Sequence, residues 1–150
     1  MTVYPDTSFL CALYRRQDNT PQALAQRSMV KGALPATALL LFEFRQSVRF
    51  QTFLHGKDKT KGYGEKEGLK MLSDLQSDLD DGLVEIVPVD WSKVISNAER
   101  LSGQQTAANG YRGFDILHVA AAQELGVKEF LTFDSRQAAL AKAAGLKVKP

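Results

Sequence analysis

The stretch from Phe114 to Ser135 constrains the fold more than any other part of the chain. Phe114-Asp115-Ile116-Leu117-His118-Val119-Ala120-Ala121-Ala122 predicts a buried helix with a carboxylate in its opening turn. Phe130-Leu131-Thr132-Phe133-Asp134-Ser135 then predicts a short buried strand with a carboxylate at its exit. A helix start and a strand end that bring two acids to one place form a candidate metal or proton-transfer site.

The remaining elements follow the same alternation. Thr2 to Tyr4 predicts a first strand, ended by Pro5 and Asp6. Asp6-Thr7-Ser8 opens an apolar helix through Phe9, Leu10, Leu13 and Tyr14, so Asp6 marks a strand-to-helix junction. An N-cap role is the plain alternative for it. Thr20-Pro21 caps and starts a second helix with Ala23, Leu24, Met29 and Val30 on its apolar side, and Ala33 to Ala36 fits a short strand. Thr37 caps a long helix to about Leu54. A helix follows over Glu65 to Asp81, with Leu69, Leu72, Leu75 and Leu79 as its stripe. Its acids read as a solvated face. Leu83 to Val87 is a strand in which Glu85 should point outward. Asp90 caps a helix through Leu101, and the polar Gly103–Gly113 stretch predicts a loop or broken helix. Ser135 to Ala144 is a last helix, and Leu146 to Val148 a last strand. Strands alternating with helices predict an α/β fold: a three-layer sandwich with a central parallel sheet flanked by helices, one domain over residues 1–150.

Composition excludes several classes. The charged fraction of 24% and apolar fraction of 44% are those of an ordinary globular domain, and no apolar run reaches the ~18 residues of a membrane span. The N-terminus lacks the pattern of a secretory leader. The single cysteine, Cys11, cannot form an internal disulfide, which fits a reducing cytoplasm, and its neighbours predict a small buried residue. A net charge of +2 is too mild to define a nucleic-acid partner, so the distribution of charge matters more.

Two further features stand out. Ala38 to Phe44 is apolar all round except for Glu43, and a carboxylate on a buried helix is costly unless paired or bound to a metal. Neither Arg45 nor Arg49 is spaced to share its face. Beyond it, Arg45, Arg49, Lys57, Lys59 and Lys61 face a single acid, Asp58, with Phe50, Phe53 and Tyr63 between them. Basic groups neutralise phosphates and aromatic rings stack on unpaired bases, which makes these five a candidate RNA-binding set. The plain alternative is a solvated, glycine-bearing flexible loop with core phenylalanines. His118 could serve as ligand or base, but a hydrogen-bonded core histidine is the more ordinary reading.

In a parallel sheet with right-handed crossovers, strand exits and helix starts share one edge. Asp6, Glu43, Asp115 and Asp134 can therefore converge, and among 17 acids these four have the most apolar or strand-end settings. Converging carboxylates repel, and Mg²⁺ or Mn²⁺ relieves that repulsion while serving phosphodiester hydrolysis. No cysteine–histidine cluster suits zinc, no glycine-rich phosphate loop is present, and no Ser/His/Asp triad is visible.

Asp6-Thr7-Ser8, Glu43, the Asp115–Ala122 run and Thr132-Phe133-Asp134 together resemble the acidic motifs of PIN-domain ribonucleases, nearest the VapC-like toxins of type II toxin–antitoxin pairs. The resemblance covers nearly the whole chain. It implies a metal-dependent endoribonuclease in which Asp6, Glu43, Asp115 and Asp134 hold Mg²⁺ or Mn²⁺ and carry catalysis. Ser8 and Thr132 would support them through hydrogen bonds. It also implies an antitoxin protein partner and a homodimer. The Lys/Gly-rich stretch over 55–68 departs from the compact members of the family. Two rivals differ in function: a non-catalytic RNA-binding or scaffold module of the same fold, and a receiver-type phospho-acceptor domain. The second wants an acidic pair beside the first strand, where Asp6 stands alone.

Overall fold

The computed structural model describes residues 1–150. In chain order the elements are β1 (Val3–Pro5), α1 (Thr7–Tyr14), α2 (Thr20–Met29), β2 (Leu34–Ala36), α3 (Ala38–Lys57) and α4 (Glu65–Asp80). There follow β3 (Val84–Ile86), α5 (Trp91–Asn109), α6 (Gly113–Glu124), β4 (Glu129–Leu131), α7 (Ser135–Ala143) and β5 (Lys147–Lys149). Every pairing is parallel. Tyr4 of β1 lies opposite Phe130 of β4, Phe130 opposite Val148 of β5, and Pro35 of β2 opposite Glu85 of β3. β2 runs beside β1, giving the spatial order β3-β2-β1-β4-β5. The hydrogen-bonded ladder is interrupted between β2 and β1. Pro5 and Pro35 stand in these two strands and have no N–H to donate.

Alternation along the strands builds the layers. Tyr4 and Phe130 point to one face, where their rings stack at 5.6 Å. They pack with Val94, Ile116, Val119 and Leu140 of α5, α6 and α7. Val3 and Leu131 point to the other face, against Phe9, Leu40, Phe44 and Leu75 of α1, α3 and α4. Each such fully buried Leu or Phe contributes about 1.5–3 kcal/mol of transfer free energy. The three-layer parallel sandwich expected from the sequence is therefore the observed fold. No helix is long and apolar enough to cross a membrane.

Several local expectations differ. α3 continues through Gly56 to Lys57, because its stop is Asp58, whose backbone is extended at φ −146°. The expected flexible loop is a tied turn. Asp58 Oδ1 accepts from the Thr60 N–H at 3.0 Å and its hydroxyl at 2.7 Å, and His55 Nδ1 donates to the Lys61 carbonyl at 2.9 Å. Gly62, at φ +58°, comes so close to the Gln51 carbonyl that a Cβ would sit 2.0 Å from it. α5 runs unbroken across Gly103, which is exposed and meets nothing, and ends only at Gly110, φ +69°. Asn19 rather than Thr20 is the N-cap of α2. In α2 only Ala23 is buried, while Leu24 and Met29 are exposed. In α4, Gly68 and Met71 take the buried places and Leu69 is exposed. Cys11 is half-buried instead of buried, because it borders the pocket described next. Glu85 points outward as expected.

Candidate active site

The strand exits and helix starts build one pocket. A cavity of about 240 Å³ is lined by Asp6, Glu43, Asp115 and Asp134, with Thr7, Ser8, Cys11, Ser47, His118 and Gln137. All four sequence-predicted acids meet there. They do not form a closed cage, since no three acidic, histidine or cysteine side chains are gathered at metal-binding distance.

Asp6 is the anchor. Its N–H donates to the Leu131 carbonyl at 3.0 Å, which extends the β1–β4 ladder by one bond. Its side chain caps α1: Oδ1 accepts from the Phe9 N–H at 2.9 Å and the Ser8 hydroxyl at 2.6 Å. Oδ2 accepts from the Thr132 hydroxyl at 2.5 Å. The N-cap reading of Asp6 is therefore observed, and the same residue lines the pocket. Ser8 also accepts the Phe133 N–H at 2.9 Å, which ties the start of α1 to the exit of β4. Burial pushes the Asp6 carboxyl up to about 6, although the Ser8, Thr132 and Phe9 donors pull it down.

Asp115 opens α6 half-buried, and burial raises its pKa, with the Asp134 and Glu43 charges adding to the shift. The charges of Asp134 and Glu43 therefore both bear on Asp115. Asp134 is exposed and caps α7, accepting the Arg136 and Gln137 N–H groups at 2.8 and 3.1 Å. Gln137 sits where a capping box would send it back toward the cap. Here its Nε2 donates instead to the Asp115 carbonyl at 3.1 Å, tying α7 to α6.

Glu43 differs from the others because it has a histidine partner. His118 Nε2 donates to Glu43 Oε2 at 2.7 Å, and His118 Nδ1 meets the Tyr4 hydroxyl at 2.8 Å. Tyr4 in turn meets Thr37 Oγ1 at 3.1 Å, and Thr37 accepts the Leu40 N–H. A carboxylate only accepts, so Nε2 carries hydrogen; in the neutral ring Nδ1 then accepts from Tyr4. Burial works to raise the Glu43 pKa, but the His118 hydrogen bond and charge outweigh it and leave it lowered. His118 is thus the buried, hydrogen-bonded core residue the sequence suggested, and it also holds a site acid.

Tyr4→Phe should lower stability by about 1–2 kcal/mol in urea titration. It strands the His118 and Thr37 polar atoms where water does not reach, and Tyr4, Thr37 and His118 are at most 1% exposed.

A divalent cation fits this donor set. Four carboxylates supply oxygen and only Glu43 has an internal partner of basic type. Gln137 Oε1, in a residue 2% exposed, is a buried acceptor with no partner. The five basic residues lie elsewhere: none of Arg45, Arg49, Lys57, Lys59 and Lys61 lines the pocket. A larger groove of about 790 Å³ between α1, α2 and α4 contains none of the four acids.

Sequence reasoning missed the Tyr4–Thr37 support, the His118–Glu43 pair and Gln137. A signal existed for two of them. His118 is one helical turn after Asp115, and Gln137 stands three residues after the Asp134 cap.

Comparison with known proteins agrees with this architecture. VapC20 of Mycobacterium tuberculosis, a sarcin–ricin loop cleaving toxin, superposes with TM-score 0.65 at 18% identity, over 99% of this chain and 100% of its own. FitAcB of Neisseria gonorrhoeae gives TM-score 0.66 at 18% identity, over 100% and 97%. VapBC-5 of Mycobacterium tuberculosis, from the VapBC family of toxin–antitoxin systems, gives 0.58 at 20% identity, over 98% and 95%. No curated protein matches the chain in sequence. The profile of the PIN domain matches residues 3–143, nearly the whole chain, and the protein belongs to the PIN domain family.

Proposed function

We propose that the protein is a divalent-metal-dependent endoribonuclease, the toxin of a toxin–antitoxin pair, with Asp6, Glu43, Asp115 and Asp134 as its catalytic acids. The observation that carries this reading is their meeting in one pocket at the carboxyl edge of a parallel sheet. Asp6 and Asp115 would be the main holders of Mg²⁺ or Mn²⁺, with Glu43 and Asp134 completing the set. When bound, the cation would supply an acidified water and positive charge for the leaving oxygen of a phosphodiester.

The protein's own groups have distinct tasks. Ser8, Thr132 and the Phe9 N–H donate to the Asp6 carboxylate and fix its plane. His118 holds Glu43 by one oxygen and leaves the other for the pocket. Asp134 sits at the exposed rim, where an incoming RNA meets it first. The comparison with VapC20, a toxin that cuts RNA, supports the substrate class. The likeness to VapBC-5 supports an antitoxin partner. A homodimer and a cytoplasmic setting are part of the same proposal. A receiver-type role has no support in the geometry, because Glu43 and Asp115 reach the pocket from helices.

The test is cleavage of a pool of single-stranded and structured RNA by purified protein with Mg²⁺, with Mn²⁺ and with chelator. Cutting that depends on the metal supports the proposal. Equal cutting in chelator, or RNA binding with no cutting in either metal, contradicts it and favours a binding module.

A further inference from the structure

Outside the pocket, the least expected surface is the outer row of α3. Starting at Glu43, steps of three or four residues lead through Ser47, which still lines the pocket, to Phe50, Phe53 and Lys57. At 1.5 Å per residue the row is about 21 Å long. Phe50 and Phe53 are 50% and 55% exposed, and they stack on each other at 6.0 Å. Lys57 Nζ lies 5.6 Å over the Phe53 ring. At the pocket end, Phe42 and Phe114 meet edge to face at 6.4 Å, each adjacent in sequence to a site acid. Large exposed rings in such a row mark an interaction surface.

The charge on this surface identifies what covers it. None of Arg45, Arg49, Lys57, Lys59 or Lys61 makes an ion pair. Asp58, the one acid among them, is occupied by Thr60. On the neighbouring α4, Glu67 is paired with Arg15 and Asp74 with Lys70. Arg45 leans toward α4 and Gln76, and the tied turn packs on the Gln51–His55 side of α3, so Arg49 and Lys57 are the cations beside the rings. Uncompensated cations disfavour a second copy of the same face. They suit a polyanion, and flat exposed rings suit one whose bases are unpaired.

We infer that the outer row of α3, from Phe42 to Lys57, is a track for single-stranded RNA that leads the chain into the acid pocket. The inference rests on the nuclease reading of that pocket. Bases stack on Phe50 and Phe53 while Arg49 and Lys57 neutralise the phosphates. Stacking of this kind accepts any base, so the track confers preference for unpaired RNA and leaves sequence choice to the pocket.

The experiment is fluorescence anisotropy of a short labelled oligouridine, in chelator and at several salt concentrations, with an RNA duplex of equal length alongside. The variants are Phe50→Leu/Phe53→Leu, which keeps apolar bulk without flat rings, and Arg49→Gln/Lys57→Gln. Sedimentation measures the oligomeric state of each. The track predicts that the wild type prefers the single strand. The leucine variant should bind it about tenfold or more weaker with its oligomeric state unchanged. The glutamine variant should show a shallower salt dependence. Unchanged binding by the leucine variant, preference for duplex, or a dimer lost on that substitution overturns the inference. The dimer result would assign the face to a second copy. Metal-dependent cleavage by the wild type reports on the pocket alone, so the two readings can fail separately.

Discussion

Asp115→Asn should cut RNA hydrolysis by about a thousandfold while leaving the fold at least as stable as before. The rate loss follows from removing one of the two carboxylates proposed as the main holders of the metal. Electrostatic stabilisation at such a site contributes several kcal/mol, and about 4 kcal/mol is a factor of about a thousand. The stability half of the prediction separates a site acid from a structural one. The Asp115 carboxylate makes no hydrogen bond or ion pair that an amide would lose; only its backbone carbonyl is engaged, by Gln137. Burial and the charges of Asp134 and Glu43 hold its pKa up. The amide relieves that strain, by no more than about 1 kcal/mol because the group is half-exposed to screening solvent. Initial cleavage rates and thermal melts in chelator test both halves. A variant that unfolds would show that Asp115 serves the fold.

The metal-free protein should lose about 1 kcal/mol of stability between about pH 5 and pH 7, equal to about 2–4 °C in Tm. Asp6 is the cause. Its folded value of about 6 lies above the ordinary 3.8, so between these values the native state binds more protons than the unfolded chain. Stability then falls as pH rises through this window, and the full penalty is present above about 6. Asp115 is shifted in the same direction. Glu43 works oppositely: its lowered value gives stability above the ordinary 4.5 that is lost on going to more acid solution, below the window. Urea titrations in chelator at the two pH values measure the slope. Asp6→Asn should flatten it, and Mn²⁺ at pH 7 should restore stability by binding the folded state. A slope of opposite sign would mean that the pocket already neutralises its acids.

Much of this site was legible from the sequence because each acid sits at a punctuated position. Asp6 follows Pro5, Asp134 follows the apolar run of β4, Asp115 precedes an apolar helix, and Glu43 interrupts one. Topology then favours the convergence, since every strand pairing is parallel. What was not legible is long-range. Nothing local pairs Glu43 with His118, 75 residues away, or Tyr4 with His118, 114 away. The break expected at Gly103 and the stop expected near Leu54 failed because a single glycine on an exposed helix face costs only about 1 kcal/mol, less than the flanking turns supply. The loop around Gly62 looked free because its restraint comes from Gln51, on the preceding helix. The exposure of Phe50 and Phe53 was equally invisible, since sequence alone does not distinguish a core phenylalanine from a surface one.

Calorimetric titration of Mn²⁺ at neutral pH into the wild type, beside Asp6→Asn, tests the central claim most directly. The pocket reading predicts saturable binding by the wild type and its loss in the variant, which keeps the wild-type circular dichroism. Equal Mn²⁺ binding by both proteins, or none by the wild type, would contradict a metal site built on Asp6.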